Sequence, residues 1–371
     1  MKRILLLLAA LALLFASCSG QEEKTSQTET EEDAPFYHEL TKKPEYPEDL
    51  TPYLRLPEDL TVTAKFDDPE LCTDEEVDEA VFQVMLTYAA FSLEQEREAQ
   101  LYDRVELDYV ASIDGEVQED LSESGATLVI GKSGNSLIET VLADAVLGKK
   151  AGESATVEYT YPADSYYYNS YAGKTVVFDV QVTGVCFPNV PLCDEEFVQG
   201  LPDYNFNTVE EFRESVRADL MEEKRSAKLS VVWNEFVKKV EILSYPEKAL
   251  EWHEKAYENE VLQTVYQYNE TLESFAAKFL NQTMPEYEAE RLKYAEEQVK
   301  NEMIFMALVQ KLEISLSEEE YQNALTNYFD HAEYDGTIEE FEAEYGREYF
   351  EEIGCWDKAV ETLMEMAVRE E

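Results

Sequence analysis

The stretch from residue 103 to residue 185 constrains the fold of this chain more than any other part of it. Three of its segments alternate apolar with polar side chains, which is the period of a β-strand with one covered face. The apolar positions are Val105, Leu107, Tyr109 and Ala111, then Ala155, Val157, Tyr159 and Tyr161, and finally Val176, Phe178, Val180 and Val182. Between the first two segments, one helical pattern is formed by Ile138, Val141, Leu142 and Ala145. The sequence therefore predicts a small antiparallel sheet packed against one short helix.

The chain from residue 194 onward has a helical pattern instead. Ser or Thr followed three residues later by Glu marks a capping box, in which each side chain satisfies a free backbone N–H of the first turn. Such pairs occur at Thr208/Glu211, Thr283/Glu286, Ser317/Glu320 and Thr337/Glu340, and an earlier one at Thr73/Glu76. No fixed repeat period is present, which argues against a solenoid. We therefore predict an α+β multidomain chain, with a small antiparallel sheet domain and an extended all-α domain.

The N-terminus has the pattern of an export signal. A basic tip precedes an apolar run of about a dozen residues, which is too short to span a bilayer as a mature helix. Residues 15–18 then place small side chains directly before Cys18, as at a lipoprotein cleavage site. We expect 1–17 to be a lipoprotein signal peptide, Cys18 to be lipidated and 18–44 to be a flexible tether. The expected location is extracytoplasmic, anchored to the cell membrane, and an ordinary secretory signal is the alternative.

The charge of the chain excludes several partners. Its formal net charge is -51, which repels phosphate backbones. We therefore expect no nucleic acid partner, and docking on the ribosome is disfavoured for the same reason. The five cysteines contain no Cys-x-x-Cys pair and only three histidines are present, so we expect no metal and no cofactor. Cys186 and Cys193 are predicted to be free thiols, with a bridge between them as the alternative.

Several landmarks of the 103–185 stretch occur in an order that resembles the FKBP-type peptidyl-prolyl isomerase domain of the trigger factor family. They are the strand Asp103–Tyr109, the turn Ile113-Asp114-Gly115, the linker Leu147–Glu153 and the run Tyr171–Val180. Outside the stretch, Cys72–Asp78, Leu192–Phe197 and Thr208–Arg213 resemble the segments that flank this domain in the family. No counterpart of the family's basic ribosome-binding domain is found, and the predicted lipid anchor and tether stand in its place.

The resemblance implies a division of the chain into domains. It predicts a lead-in strand and helix at 45–102 that pack on the C-terminal domain. It further predicts an FKBP-like isomerase domain at 103–186 and a helical, trigger factor-like chaperone domain at 187–371.

The resemblance also implies the site. Rotating an X-Pro bond needs no nucleophile or metal, only an apolar pocket for the proline ring and polar groups that favour the twisted amide. The implied catalytic residues are Tyr109, Glu119, Ile138, Tyr168 and Phe178. The implied substrate-binding residues are Gln118, Val141, Tyr166 and Tyr167. Gln118 and Val141 stand where the family has aromatic rings, so two rings of the proline cradle are replaced.

We therefore expect a membrane-anchored folding factor. It would bind unfolded or newly exported polypeptides that contain proline and isomerise their X-Pro bonds. The first alternative is a holdase chaperone with a catalytically degenerate isomerase domain. The second is a solute-binding or adhesive lipoprotein, which the lack of alternating α/β halves disfavours.

Overall fold

A computed structural model describes residues 43–94, 96–132, 136–162, 171–202, 205–280, 282–332 and 334–370. The predicted signal peptide, Cys18 and nearly all of the predicted tether lie outside these residues. Internal contacts divide the chain into two compact units. The sheet unit comprises Cys72–Met221, and the helical unit comprises the described residues up to Leu71 and from Glu222 onward.

Strands and helices follow one another along the chain as predicted in outline. The strands are β1 (Leu54–Arg55), β2 (Thr63–Ala64), β3 (Ala90–Leu93), β4 (Arg104–Ile113), β5 (Glu116–Val129), β6 (Ser154–Thr160), β7 (Thr175–Asn189), β8 (Glu241–Ile242) and β9 (Val368–Arg369). The helices are α1 (Asp74–Thr87), α2 (Leu137–Val146), α3 (Glu195–Gln199), α4 (Val209–Val237), α5 (Glu247–Gln267), α6 (Leu272–Phe275), α7 (Met284–Lys311), α8 (Glu318–His331), α9 (Ile338–Tyr345) and α10 (Arg347–Glu365), with a π-helical turn at Ala276–Leu280. The predicted fold class, a small antiparallel sheet combined with a helical region, is confirmed.

The sheet of the sheet unit is built around β7. One edge of β7 pairs with β4, and its other edge pairs with β6 and then with β3, all antiparallel. β5 extends the sheet from the free edge of β4. The three segments with alternating apolar residues are β4, β6 and β7, as predicted. The capped helix α2 lies between β5 and β6 in the chain and packs on the sheet through Leu142, Ala143 and Val146.

β5 has no apolar alternation and was not predicted. Its register with β4 shifts on both sides of Tyr109, so the strand is irregular where a pattern would have to appear. Gly125 adopts a φ of +74°, a backbone conformation that glycine accepts without cost. The Asp108 carboxylate accepts hydrogen bonds from Ser124 Oγ at 2.6 Å and from the Gly125 N–H at 2.7 Å. Asp108 therefore fixes the irregular part of β5 against β4.

Two apolar clusters stabilise the sheet unit. The first lies between the sheet and α2, and its fully buried members include Val105, Leu107, Ala111, Val146, Val176, Phe178, Val182 and Val185. The second joins α1 to α3 and to the first turns of α4, through Val77, Val81, Val198, Leu201, Phe212 and Val216. Cys186 is buried and Cys193 is half-buried, and both are free thiols.

Capping boxes begin several of the helices. Thr73, Ser317 and Thr337 each accept from the backbone N–H three residues on, as predicted. At Thr283 the Glu286 carboxylate accepts from the threonine backbone N–H at 2.7 Å. At Thr208 the threonine Oγ accepts from the Glu211 N–H at 3.2 Å, as predicted, while the Glu211 carboxylate accepts from the Asn207 N–H at 2.7 Å.

Among its described residues, the helical unit has three apolar cores, and two of them include residues of α7. One joins α7 to β2, α4 and α10 through Val62, Phe236, Ile304, Leu308 and Leu363. Another joins α7 to β1 and α5, and a third lies between α8, α9 and α10.

The compact units divide the chain after Leu71 and after Met221, within the predicted 45–102 and 187–371 segments. The predicted domain limits therefore stay a prediction.

Candidate functional site

The strand register of the sheet unit places several predicted site residues in one cross-strand row. Ala111 on β4 pairs with Gln118 on β5 on one side and with Phe178 on β7 on the other. Phe178 pairs in turn with Val157 on β6. Directly paired residues of an antiparallel sheet point to the same face, so these four side chains cross one face of the sheet. Ala111 and Phe178 are fully buried, which identifies this face as the one that packs on α2.

Tyr109 lies beside this row. Its ring centroid is 6.2 Å from that of Phe178, in an edge-to-face arrangement. Phe178 is 0% exposed, whereas Tyr109 is half-buried and packs against the same core. The Tyr109 hydroxyl donates to the Glu123 carboxylate at 3.2 Å. Phe178 therefore forms the base of an aromatic pair whose accessible part is Tyr109.

Two predicted residues lie on helix α2, and one of them packs against the sheet core. Ile138, in the first turn, is half-buried and packs against the sheet core. Val141 is half-buried and is not a member of that core, whereas the next residue, Leu142, is 2% exposed and is. Val141 was named from the resemblance, and its role in binding substrate stays a prediction. The buried position on this turn of α2 belongs to Leu142.

The two predicted residues of β5 lie at the margin of the site. Gln118 is half-buried, and its side-chain amide donates to the Glu116 carbonyl at 3.0 Å. The backbone carbonyl of Gln118 accepts from Ser122 Oγ at 2.6 Å. Glu119 is exposed. A polar amide held against the backbone of its own strand thus stands where the family places an aromatic ring.

A second aromatic group extends the site along β6 and β7. The ring of Tyr161, which is 1% exposed, lies 5.2 Å from that of Tyr159 and 5.9 Å from that of Tyr171. The Tyr171 hydroxyl donates to the Asp120 carboxylate on β5. Burial and this carboxylate raise the pKa of Tyr171 to about 12, so the phenol stays protonated and continues to donate. Tyr159 and Tyr171 were not among the predicted site residues, although Tyr159 is one of the alternating apolar positions of β6.

Four predicted residues cannot be placed. Tyr166, Tyr167 and Tyr168 lie outside the described residues, as does Cys18. Their roles stay predictions from the resemblance.

The described site offers surface rather than reactive groups. It combines the aromatic side chains of Tyr109, Tyr159 and Tyr171 with the aliphatic side chains of Ile138 and Val157 over a buried base. Among the described residues, no group of three or more His, Cys, Asp or Glu side chains is arranged to hold a metal ion. Such a surface can bind apolar rings and chains of a polypeptide.

Comparison with curated proteins finds relatives that share one name, trigger factor. The trigger factor of Staphylococcus carnosus is 26% identical over 256 residues, which cover 68% of this chain and 57% of that protein. The trigger factor of Cutibacterium acnes is 28% identical over 304 residues, 80% of this chain and 54% of the relative. The trigger factor of Pseudomonas putida is 37% identical over 142 residues, 38% of this chain and 31% of the relative. The chain thus spans about half the length of the curated relatives it matches.

The chain has a mixed α+β fold with an aromatic surface on its sheet, and the three relatives described above are all trigger factors. The chain is trigger factor-like. No family model matches it. A solved structure from work on promiscuous substrate recognition by the trigger factor chaperone covers 84% of this chain and 72% of its own, at 16% identity and a TM-score of 0.35. That score is too low to compare the two arrangements of domains.

Proposed function

We propose that this chain is a lipid-anchored, extracytoplasmic folding factor that binds unfolded polypeptides and accelerates isomerisation of their X-Pro bonds. The observation that carries the proposal is the aromatic pair of Tyr109 and Phe178, with Ile138 packed against the same core. Similarity to trigger factors supports the same function.

The chemistry fits the residues available. The barrier to X-Pro rotation, about 18–20 kcal/mol, arises from amide resonance, so a catalyst must favour the twisted amide over the planar one. An apolar surface desolvates the amide and grips the proline ring, which weakens resonance without a reactive side chain. In this proposal Tyr109 contacts the proline ring, Phe178 supports Tyr109 from beneath, and the backbone N–H of Ile138 donates to the substrate carbonyl.

The isomerase part is tested by a protease-coupled assay on a short proline peptide. The purified chain is expected to accelerate the cis-to-trans phase above the uncatalysed rate. Tyr109→Ala is expected to lower kcat/KM by about tenfold, which corresponds to about 1.4 kcal/mol of lost contact. Tyr266→Ala, at a tyrosine that is 52% exposed in the helical unit, is the matched control and should leave the rate unchanged. No acceleration by the unmodified chain would refute the isomerase claim.

A holdase without isomerase activity is the second candidate, and one observation favours it. Gln118 and Val141 stand at two positions where the resemblance implies aromatic rings, and neither residue has one. Gln118 is also hydrogen-bonded to its own strand, and Val141 lies outside the sheet core. This candidate predicts suppression of the aggregation of an unrelated denatured protein, together with a proline-peptide rate equal to that of the solvent control.

Membrane anchoring is tested separately. Lipid labelling and membrane fractionation of the expressed chain should both depend on Cys18. Cys18→Ser is expected to abolish the label and to release the protein from the membrane fraction, whereas Cys72→Ser, at a half-buried thiol, should change neither. Equal labelling of the Cys18→Ser variant would contradict the proposal.

A further inference from the structure

A segment of irregular backbone lies in the helical unit before its first helix. We call residues 43–57 the strap. Apart from the two residues of β1, it contains only one tight turn, in which the Tyr53 and Leu54 N–H groups donate to the Leu50 carbonyl at 2.9 and 3.1 Å. Its prolines are Pro44, Pro47, Pro52 and Pro57. Repeated proline keeps such a segment from continuing as a helix or pairing as a central strand.

The strap is seated on an apolar surface. Leu50 and Leu54, each 4% exposed, form one buried cluster with Ala249 of α5 and with Val299 and Met303 of α7. Val299 and Met303 are 0% exposed and lie one turn apart on α7. Without the strap, these side chains would form an apolar groove of the helical unit that faces solvent. We call this surface the strap groove.

The start of the strap is fastened by a single carboxylate. Glu302, on α7 beside Met303, accepts from Lys43 Nζ at 2.6 Å and from the Tyr46 hydroxyl at 2.5 Å. The Nε2 atom of His253 on α5 lies 3.3 Å from the same carboxylate. The Glu302 side chain is 9% exposed and that of His253 is 1% exposed. Two strap residues, Lys43 and Tyr46, and one residue of α5, His253, therefore contact the buried Glu302 carboxylate.

That charge depends on the strap for compensation. Burial by itself would raise the pKa of Glu302, but Lys43 and His253 bring it down to about 2. Glu302 is thus ionised at ordinary pH, and Lys43 supplies the opposite charge. A buried carboxylate that loses its partner is costly, because the lost hydrogen bonds are not replaced unless water enters. The seated strap and the charged Glu302 hold each other in place.

The other end of the strap is held by strand pairing and by surface contacts. Leu54 and Arg55 of β1 pair with β8, and the Leu243 N–H donates to the Tyr53 carbonyl at 2.7 Å, so this end stays in place. The Gln310 side-chain amide donates to the Glu48 carbonyl at 3.1 Å and Lys311 Nζ donates to the Pro57 carbonyl at 2.6 Å, both at the surface. The pair Arg55–Glu241 is also exposed. Exposed contacts of this kind contribute little to stability. The Glu302 contacts are therefore the ones whose loss should free the segment from residue 43 to Leu50.

We propose that the strap is an internal occupant of a client-binding groove. It is an irregular, proline-containing segment that places apolar side chains four residues apart on the groove, which is what an unfolded proline-containing polypeptide would offer. Opening at Glu302 frees residues 43–50 and exposes to such a polypeptide the part of the groove that Leu50 covers, and the seated strap keeps it closed. The claim that clients take the groove rests on the proposed function; the claim that the strap opens by itself does not.

Hydrogen exchange tests the opening. Lys43→Met removes the charge and keeps the chain length, and the milder Tyr46→Phe removes only one hydroxyl. Both should speed exchange of strap amides, by about tenfold or more for Lys43→Met, while the centre of α7 exchanges as before. Lys255→Met is the matched control, because Lys255 pairs with the exposed Glu251 at 2.7 Å. The control should leave strap exchange unchanged. Strap amides that exchange only together with the centre of α7, in every variant, would overturn the proposal.

Binding tests the groove with two probes. A fluorescent peptide of sequence 43–57 should bind Lys43→Met about tenfold more tightly than the unmodified chain, and a reduced, carboxymethylated polypeptide should compete with it. Equal binding of the peptide to both chains would overturn the strap as an internal occupant. Peptide binding without competition would overturn the client claim alone. If the unmodified chain and every variant also fail to bind the unfolded polypeptide in any way, the proposed function itself fails, while the exchange result still decides whether the strap opens.

Discussion

Gln118 and Phe178 lie in the same cross-strand row of the sheet, with only the methyl group of Ala111 between them. A larger residue at 111 would separate them, and an aromatic residue at 118 would complete an apolar row across four strands. The identity of residue 118 therefore sets how far the aromatic surface extends toward β5.

Gln118→Phe should increase isomerase activity. A ring at this position adds aromatic contact worth about 1 kcal/mol to a bound proline, which corresponds to roughly a fivefold rise in kcat/KM for a proline peptide. The protease-coupled assay measures it. Val117→Phe, at a neighbouring position that is 59% exposed and points to the opposite face, is the control. An unchanged rate in Gln118→Phe would show that substrate does not reach this side of Ala111.

Phe178→Leu should loosen the whole sheet. The side chain is fully buried between α2 and the sheet, so the smaller residue leaves a cavity and costs roughly 1–2 kcal/mol. Hydrogen exchange of the β4 and β7 amides should accelerate in proportion. Val110→Ala on β4, where Val110 is 47% exposed, should change exchange by much less. Equal effects of the two variants would contradict the role of Phe178 as the base of the aromatic pair.

Ser136→Ala should weaken substrate binding through helix α2. Ser136 Oγ accepts from the Glu139 N–H at 3.2 Å, and the Glu139 carboxylate accepts from the Ser136 N–H at 2.6 Å. Loss of this cap costs about 1 kcal/mol and frays the turn that holds Ile138. We expect a several-fold rise in KM with a smaller change in kcat. Asp144→Ala, at an exposed position of the same helix, should leave both parameters unchanged.

Asp357→Asn should stabilise the helical unit above pH 6. Burial raises the pKa of Asp357 from 3.8 to about 6, against the effect of the hydrogen bond from Tyr328. A raised pKa in the folded state means that stability is fully present below about pH 4 and is lost as the pH rises toward 6. Asparagine cannot ionise and escapes this loss.

The difference in unfolding free energy between Asp357→Asn and the unmodified chain should therefore be small at pH 4. It should grow to about 2–3 kcal/mol in favour of the variant at pH 7. Urea unfolding followed by tryptophan fluorescence measures it, because Trp233, Trp252 and Trp356 all lie in the helical unit. Asp330→Asn, at an exposed position of α8, should show a constant difference across this range.

The sequence predicted those parts of the fold that depend on local pattern. β4, β6 and β7 alternate because one face is buried, and the boxes at Thr73, Ser317 and Thr337 satisfy backbone donors within four residues. β5 was missed because its strand character comes from pairing with β4 and from the bonds to Asp108, which no local pattern records.

The site residues were named from the resemblance, and their roles stay predictions. Tyr109 and Phe178 both belong to alternating strands, and the structure places their rings 6.2 Å apart on one face of the sheet. Val141 was named from the resemblance alone. Which residue on this turn of α2 is buried depends on how the helix packs on the sheet, because one step along a helix turns the side chain by 100°. The ion pair between Lys43 and Glu302 joins positions far apart in the chain, and the sequence around neither residue predicts it.

The pairing of β7 with β3, β4 and β6 has a consequence for how the chain folds while it is being synthesised. The strand that completes the sheet is the last of the five along the chain, and its final residues pair with the first strand, Ala90–Leu93. In a polypeptide made N-terminus first, β6 and β4 therefore have no β7 partner until residues 175–186 have been made. β3 has none until residues 186–189 have been made. Contacts so distant in sequence form slowly and leave strand edges open in the meantime. A protein proposed to protect other chains during folding would thus need such protection itself each time it is made.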